Sequence, residues 1–486
     1  MSSDEQLIKL IEHYQKALLI NPRSDSIYHQ LAEFYYRQGN LEKTLETYQK
    51  ALKIQPRSII VSEALTKVLT RLGFNEKESN RFLESFSKTL TLEAAFAEAN
   101  FSVLSSFIEP SEELKSNTDI KTWRDTLVLA FALVQQENWG GALNLCAKAI
   151  HLEPSLCLPH SIIRYLVLPK LDDLDLLAGF YFQVIRFPKI HRLAYAVLGD
   201  ILTKQNKLPE AIQAYKNVWL ESNCQISIEK KLPQQQTVVD YLVIGVGKAG
   251  TTSVSHYLSQ HPQIINPHNK EILFFNQHYE CGSDWYLAQF PPPVLRREKF
   301  LTGEATPWYL VTIGAEERVF NMFPMIKLIT ILRNPIARTI SHYYMFVKAG
   351  LEYRSLEEAI TSEIAILKDV ESPEQVSATY WKTERGYLWC SLYLPFLKKW
   401  MSLFPREQFL ILNSEDLYNA PSKTLSQVFE FLNIADCDLI NYPKLNLGSY
   451  RQIDHDSRKA LFEFFYTHNQ ELEEYLGMEF DWNNTL

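Results

Sequence analysis

Pro22 and Pro56 stand 34 residues apart, and so do Pro154 and Pro188. Between the first two prolines the chain carries two helical faces. Tyr28, Leu31, Ala32 and Tyr35 recur at the spacing of one face, Gly39 and Asn40 interrupt it, and Leu45, Tyr48, Ala51 and Leu52 mark a second face before Pro56. Spacings of three and four residues are the helical period, and Gly-Asn and Pro are stop signals. Large and small residues alternate, because the small Ala32 and Ala51 admit Tyr35 and Tyr48 where two antiparallel helices approach closely. Tyr195, Leu198, Gly199, Leu202, Ala211 and Tyr215 repeat the spacing over residues 192–223. Units of this kind bury their faces mainly against their neighbours in a stack.

The pattern resembles the tetratricopeptide repeat. HYQKALLINP, ahead of Pro22, is similar to the second helix of a truncated first repeat, and WGGALNLCAKAIHLEP closes another unit at Pro154. The resemblance covers most of residues 5–225. The pattern is degenerate between about 59 and 120, and Ile108–Thr122 reads as a break between two sub-arrays. The resemblance implies an α-solenoid over residues 1–232. Its concave face either holds a peptide or protein partner or serves as a packing scaffold. The polar, breaker-containing stretch Glu229–Gln236 reads as a linker to a second domain over residues 237–486.

Composition bounds the rest. A chain of 486 residues has room for a few domains of about 150 residues each. With 46% hydrophobic and 22% charged residues it is not mainly disordered. A net charge of −8 argues against a non-specific nucleic-acid binder while leaving room for a local basic pocket. The opening MSSDEQLIKL shows no basic stretch followed by an apolar core, and the apolar runs fall short of the about 20 residues that a membrane span needs. Cys146, Cys157, Cys224, Cys281, Cys390 and Cys437 are scattered with no CxxC spacing. Neither a zinc site nor a dense disulfide framework is expected, and a reduced cytoplasmic protein is the simplest reading.

The pattern changes at Thr237. Val238–Ile244 reads as a β-branched strand, Gly245–Gly250 as a Gly-rich loop, and a helix starts at about Thr251. A strand, a Gly-rich turn and a helix N-terminus together form an anion cradle, because glycines let amides approach a phosphate and the helix dipole favours negative charge. A nucleoside-triphosphate loop needs Lys directly after its last Gly. Here position 251 is Thr, the lysine is Lys248 inside the loop, and no acidic strand end is available for Mg²⁺. Gly245, Gly247 and Gly250 have dinucleotide-loop spacing, but the stretch near His268–Glu271 lacks the form of the acidic partner about 20 residues on.

Lys248-Ala249-Gly250-Thr251-Thr252 resembles the 5′-phosphosulfate loop, Lys-x-Gly-Thr-Thr, of sulfotransferases that use 3′-phosphoadenosine 5′-phosphosulfate (PAPS). Four further segments resemble that family in the same order: Lys270–Phe275 with Gly282–Tyr286, then Thr302–Leu310, Lys327–Tyr344 and Phe404–Leu417. The similarity is closest to the heparan sulfate and bacterial branch and spans essentially residues 237–486. It implies an α/β, P-loop-like domain with a central parallel sheet, and PAPS as co-substrate without a metal. By the resemblance, Lys248 meets the leaving phosphate, while the amides of Ala249, Gly250, Thr251 and Thr252, with the threonine hydroxyls, hold the 5′-phosphate. Glu271 corresponds to the catalytic base, its alternative being a surface pair with Lys270. Arg333 and Ser341 correspond to the 3′-phosphate contacts, and Tyr450 and Arg451 to a late nucleotide loop. Trp285 and Tyr286 read either as packing residues or as lining of an acceptor cleft. The acceptor is open: glycan, lipid, small molecule or protein. Glu304 is followed by Ala305 where heparan-type members usually have Lys. Two functions compete with this one. A P-loop kinase-like phosphotransferase needs a lysine where this chain has Thr251, and an acid for Mg²⁺. The other is a non-catalytic repeat-based interaction protein.

Overall fold

The computed structural model describes residues 3–20, 25–38, 40, 43–44, 47–48, 50–51, 123–220, 239–292, 300–368, 370, 375–376, 380–437, 442 and 453–484. Several sequence expectations fall outside these residues: the degenerate stretch 59–122, the linker 229–236, the interrupting Gly39, and the late loop with Tyr450 and Arg451. The chain forms two compact units. One comprises Met1–Thr237 together with Ser259–His268 and Cys281–Phe300; the other comprises Val238–Leu258, Asn269–Glu280 and Leu301–Leu486. A single cut between 232 and 237 therefore does not separate the units, because two segments from the later half pack with the earlier one.

The first unit is helical. α1 (Ser3–Ile20) packs on α2 (Asp25–Arg37) through Tyr14, Ile27, Leu31, Phe34 and Tyr35, with Gln15 donating to the Tyr35 hydroxyl at 2.6 Å. Ala32, Tyr48 and Ala51 are all buried, as the alternation of small and large residues requires. α3 (Trp123–Gln135) and α4 (Trp139–Leu152) form the next pair, with Asn138 capping α4 by accepting the Gly141 N–H. α5 (Leu174–Val184) leads to α6 (Leu193–Lys204) and α7 (Leu208–Leu220). Gly199 is the small partner in this last pair. A Cβ there would run into the Tyr215 ring, so only glycine lets α6 and α7 close.

Two segments from beyond residue 237 join this unit. His268 stacks on Tyr215 with ring centroids 5.2 Å apart, and Trp285 packs edge-on against the same ring and donates its indole N–H to Thr203 Oγ1 at 2.8 Å. Tyr215 donates its hydroxyl to Asp200, which also pairs with the buried Arg164. Trp285 and Tyr286 are both buried. Of the two readings open for Trp285, packing against the last repeat helices is the one the structure shows.

The second unit is built on a four-stranded, wholly parallel sheet of order β2-β1-β3-β4: β1 (Tyr241–Gly245), β2 (Gly303–Glu304), β3 (Lys327–Leu332) and β4 (Phe409–Asn413). The strand expected at Val238–Ile244 thus runs over Tyr241–Gly245. Every residue of β1 is buried, as parallel strands covered on both faces require. Chain order runs from β1 outward to β2 and then back across to β3. β1 and β3 therefore flank the topological switch point, where open parallel sheets bind ligands beyond their carboxyl ends. β1 leads into α8 (Thr251–Ser259), and β3 into α9 (Pro335–Lys348), which Asn334 caps by accepting the Ala337 N–H. α10 (Leu356–Leu367), opened by a Ser355–Glu358 capping box, and α11 (Pro421–Leu432) follow. Among the described residues no helix is long and apolar enough to cross a membrane.

Candidate active site

The loop after β1 has a backbone that ordinary residues avoid. Lys248 has φ 76° and Gly250 φ 104°. At Gly250 a Cβ would also approach the Tyr418 hydroxyl to 3.0 Å. A lysine in the left-handed region persists only where its surroundings over-determine it. Two guanidinium groups do so. Arg333, the first residue after β3, donates from Nη1 to the Lys248 carbonyl at 2.9 Å. Arg338, on α9, donates from Nε to the Gly247 carbonyl at 3.0 Å.

Arg338 is fully buried. Its other nitrogens donate to the Tyr387 carbonyl, the Ser391 hydroxyl and His342 Nδ1, all neutral acceptors. The charge therefore has no carboxylate against it among these contacts. Lys248 shares the same field. Burial, and then the charges of Arg338, Arg333 and Lys348, hold its ammonium below the usual lysine range. His342 is pushed well below the usual histidine range by burial, then by Arg338 and Lys248. With its Nδ1 accepting from Arg338, it is the neutral Nε2–H tautomer. Crowded cations at the mouth of a parallel sheet, in front of the first turn of α8, form a site that an anion would relax.

The amides expected at the loop divide into two groups. The Ala249 N–H donates to the Val246 carbonyl at 3.2 Å, closing the turn, so it is engaged within the loop rather than turned to a ligand. Gly250, Thr251 and Thr252 supply the amides that open α8, where helix N–H groups lack intrahelical partners. Ser341 is buried on α9, three residues after Arg338 and thus on the same helix face.

Glu271 reaches this loop through a lysine. Lys270 Nζ donates to Thr252 Oγ1 at 3.1 Å and to Glu271 Oε1 at 2.7 Å. The Lys270–Glu271 pair that the sequence offered as an alternative to a base is thus formed. It is formed against the first turn of α8, and about a third of the Glu271 side chain remains exposed. The structure accordingly gathers Lys248, Gly250, Thr251, Thr252, Lys270, Glu271 and Arg333 around the loop after β1 and the start of α8, with Ser341 on the Arg338 face of α9. Tyr450 and Arg451 lie outside the described residues. Among the described residues no group of His, Cys, Asp or Glu side chains is arranged to hold a metal ion.

Arg338 is not among the residues that the sequence motifs point to. A signal for it exists: a charge in RNPIAR on the helix face shared by Ser341 and His342, where a solvated arginine would not be expected.

Residues 239–444 match the family described as sulfotransferase domain, and residues 25–58 match the tetratricopeptide repeat. The chain is similar to the membrane-associated sulfotransferase kil1 of Dictyostelium discoideum, 26% identical over 333 residues, covering 54% of this chain and 70% of that protein. It is similar to the human (Homo sapiens) bifunctional heparan sulfate N-deacetylase/N-sulfotransferase 2, 26% identical over 295 residues, covering 54% of this chain and 31% of that protein. It is also similar to the mouse (Mus musculus) heparan sulfate glucosamine 3-O-sulfotransferase 5, 32% identical over 195 residues, covering 40% of this chain and 53% of that one. The chain thus spans about half or less of the two heparan sulfate relatives. Among solved structures, a sulfotransferase from Alicyclobacillus acidocaldarius matches with 23% identity and a TM-score of 0.39, over 51% of this chain and 99% of that one.

Proposed function

We propose that this chain, which carries a sulfotransferase domain over residues 239–444 and a tetratricopeptide repeat over residues 25–58, moves a sulfuryl group from PAPS to a hydroxyl or amine acceptor. The observation that carries the reading is the convergence of Lys248, Arg333 and the buried Arg338 on one loop, with Glu271 tied to the same loop through Lys270 and Thr252.

The chemistry is an in-line displacement. The acceptor oxygen or nitrogen attacks sulfur and a new bond to sulfur forms. The bond from sulfur to the bridging oxygen breaks, its electron pair stays with the 5′-phosphate, and adenosine 3′,5′-bisphosphate leaves. The acceptor proton passes to Glu271, whose carboxylate Lys270 orients by a charge-assisted hydrogen bond. Lys248 meets the charge that develops on the bridging oxygen. The amides of Gly250–Thr252 and the threonine hydroxyls hold the 5′-phosphate. Arg333 and Ser341 face the 3′-phosphate, as a forked guanidinium and a hydroxyl suit. A sulfuryl group carries less charge than a phosphoryl group, so an ammonium suffices where kinases use Mg²⁺. The reading places the protein in a reducing, cytoplasmic setting, in keeping with its scattered cysteines. The repeats are where a protein partner would dock.

The test is transfer of labelled sulfuryl from PAPS to a parallel panel: a glucosaminyl oligosaccharide, a tyrosyl peptide, a phenol and a primary alcohol. Lys248→Ala should lower turnover by about 10²–10³-fold. Glu271→Gln should lower it by about 10²–10⁴-fold and leave donor affinity nearly intact. Near-normal turnover in Glu271→Gln would remove the base assignment. No transfer to any acceptor, with no binding of adenosine 3′,5′-bisphosphate, would remove the reading as a whole.

A further inference from the structure

We propose that Glu304, buried at the end of β2, is a positioning residue that fixes the placement of Glu271; the inference rests on the reading of Glu271 as the proton acceptor. Leu273, two residues after Glu271, has φ 60° and ψ 23°, a left-handed conformation that a bulky side chain rarely takes. The chain turns sharply there into the turn at Phe274–His278. A strained turn so close to a base needs something that holds it.

One carboxylate supplies the hold. The Ile272 N–H donates to Glu304 Oε2 at 3.4 Å. The Leu273 N–H donates to Thr306 Oγ1 at 3.3 Å, and that hydroxyl donates to Glu304 Oε2 at 2.5 Å. The Phe274 N–H donates to the Tyr309 hydroxyl at 2.9 Å, and that hydroxyl donates to Glu304 Oε1 at 2.6 Å. Three successive amides after Glu271 thus end, directly or through one hydroxyl, on Glu304. On the other side, the Lys270 carbonyl accepts the Ala305 N–H at 3.1 Å. Glu304, Thr306 and Tyr309 are all buried, so water does not compete for these bonds. Burial and the Glu304 charge push the Tyr309 hydroxyl well above its usual range, so it stays a donor.

The consequence is kinetic. A general base works only within hydrogen-bond reach of its proton, and a displacement of about 1 Å can cost up to 10²-fold in rate. In Glu304→Gln the amide NH₂ must face one of the donors now held by a carboxylate oxygen, which loosens at least one of the three anchors.

The experiment is a double-mutant cycle in the full chain, read as labelled sulfuryl transfer to the same four-acceptor panel. Glu304→Gln should lower turnover by about 10–10²-fold. Adenosine 3′,5′-bisphosphate affinity, measured by calorimetry, should stay unchanged. Hydrogen exchange at the amides of Ile272–Phe274 should quicken. Adding Glu304→Gln to Glu271→Gln should cost little more, because the group being positioned is already gone. Tyr309→Phe, which removes one anchor and keeps the ring, runs the same cycle should Glu304→Gln fail to fold. Losses that multiply in the double variant, or a Glu304→Gln protein with full turnover while Glu271→Gln is impaired, would overturn the positioning role. Full turnover in Glu271→Gln itself would instead sink the base assignment.

Discussion

Glu363 is a wholly buried carboxylate on α10, and it accepts the N–H groups of Tyr387 at 2.8 Å and Leu388 at 2.6 Å. Burial pushes its pKa up to about 7; the two amides pull it back and Glu384 adds repulsion. The carbonyl of Tyr387 accepts from Arg338 and from Thr339, so this carboxylate supports the segment that holds the buried guanidinium. The folded chain therefore keeps a proton that the unfolded chain releases near pH 4.5. The stability this group contributes is full below that pH and is lost as pH rises toward about 7, at about 1.4 kcal/mol per unit. The stability of wild type relative to Glu363→Gln should accordingly fall by about 2–3 kcal/mol between roughly pH 5 and 7.5 in urea titrations. A difference that does not move with pH would contradict this. At this scale the sequence was legible where spacing defines a role. Lys248 and Arg333 announce themselves by their distance from Gly250 and Pro335. Arg338 does not, because its work depends on carbonyls 91 and 49 residues away along the chain. The Glu304 anchors, 32 to 35 residues from the amides they hold, were hidden for the same reason.

At the level of helices and strands, local pattern carried further. The helix from Thr251, the helix begun by Pro335 and the helix pair α6 and α7 follow from apolar periodicity and stop residues, which act within a few positions. The strand expected from Val238 is paired with β3 from Tyr241 onward, and Val238 itself lies outside the described residues. Trp285 and Tyr286 stayed ambiguous because an aromatic pair reads alike as core or as cleft until its neighbours are known. Gly199 offers the cleanest test of the repeat packing. Gly199→Ala gains about 1 kcal/mol of helix propensity but drives a Cβ into the Tyr215 ring, an overpacking cost of about 1–3 kcal/mol. Net destabilisation, seen as a lower midpoint in thermal unfolding, is expected. An unchanged or raised midpoint would show that α6 and α7 do not meet as described.

For the molecule as a whole, the sequence puts the candidate site in the later half but does not reveal that Ser259–His268 and Cys281–Phe300 pack with the first unit. Those contacts join residues far apart in the chain, such as Thr203 with Trp285. They change what a truncation should do. A fragment of residues 237–486 loses the Tyr215 and Thr203 partners of His268 and Trp285 and exposes their rings. It should aggregate or melt well below the full chain in a thermal scan. A soluble fragment that binds nucleotide as the full chain does would show that the repeats are dispensable packing. The proposed anion site takes a nucleotide with a 3′-phosphate through lysine and arginine cations, helix amides and hydroxyls, without a metal. Titration calorimetry of the full chain with adenosine 3′,5′-bisphosphate in EDTA tests it most directly. The expected result is binding without metal that ATP displaces poorly and that Lys248→Ala weakens. On the alkaline side it should fade earlier than an ordinary lysine would dictate, because the Lys248 ammonium, held below its usual range, loses its proton first. Binding that requires Mg²⁺ and prefers ATP would contradict the account.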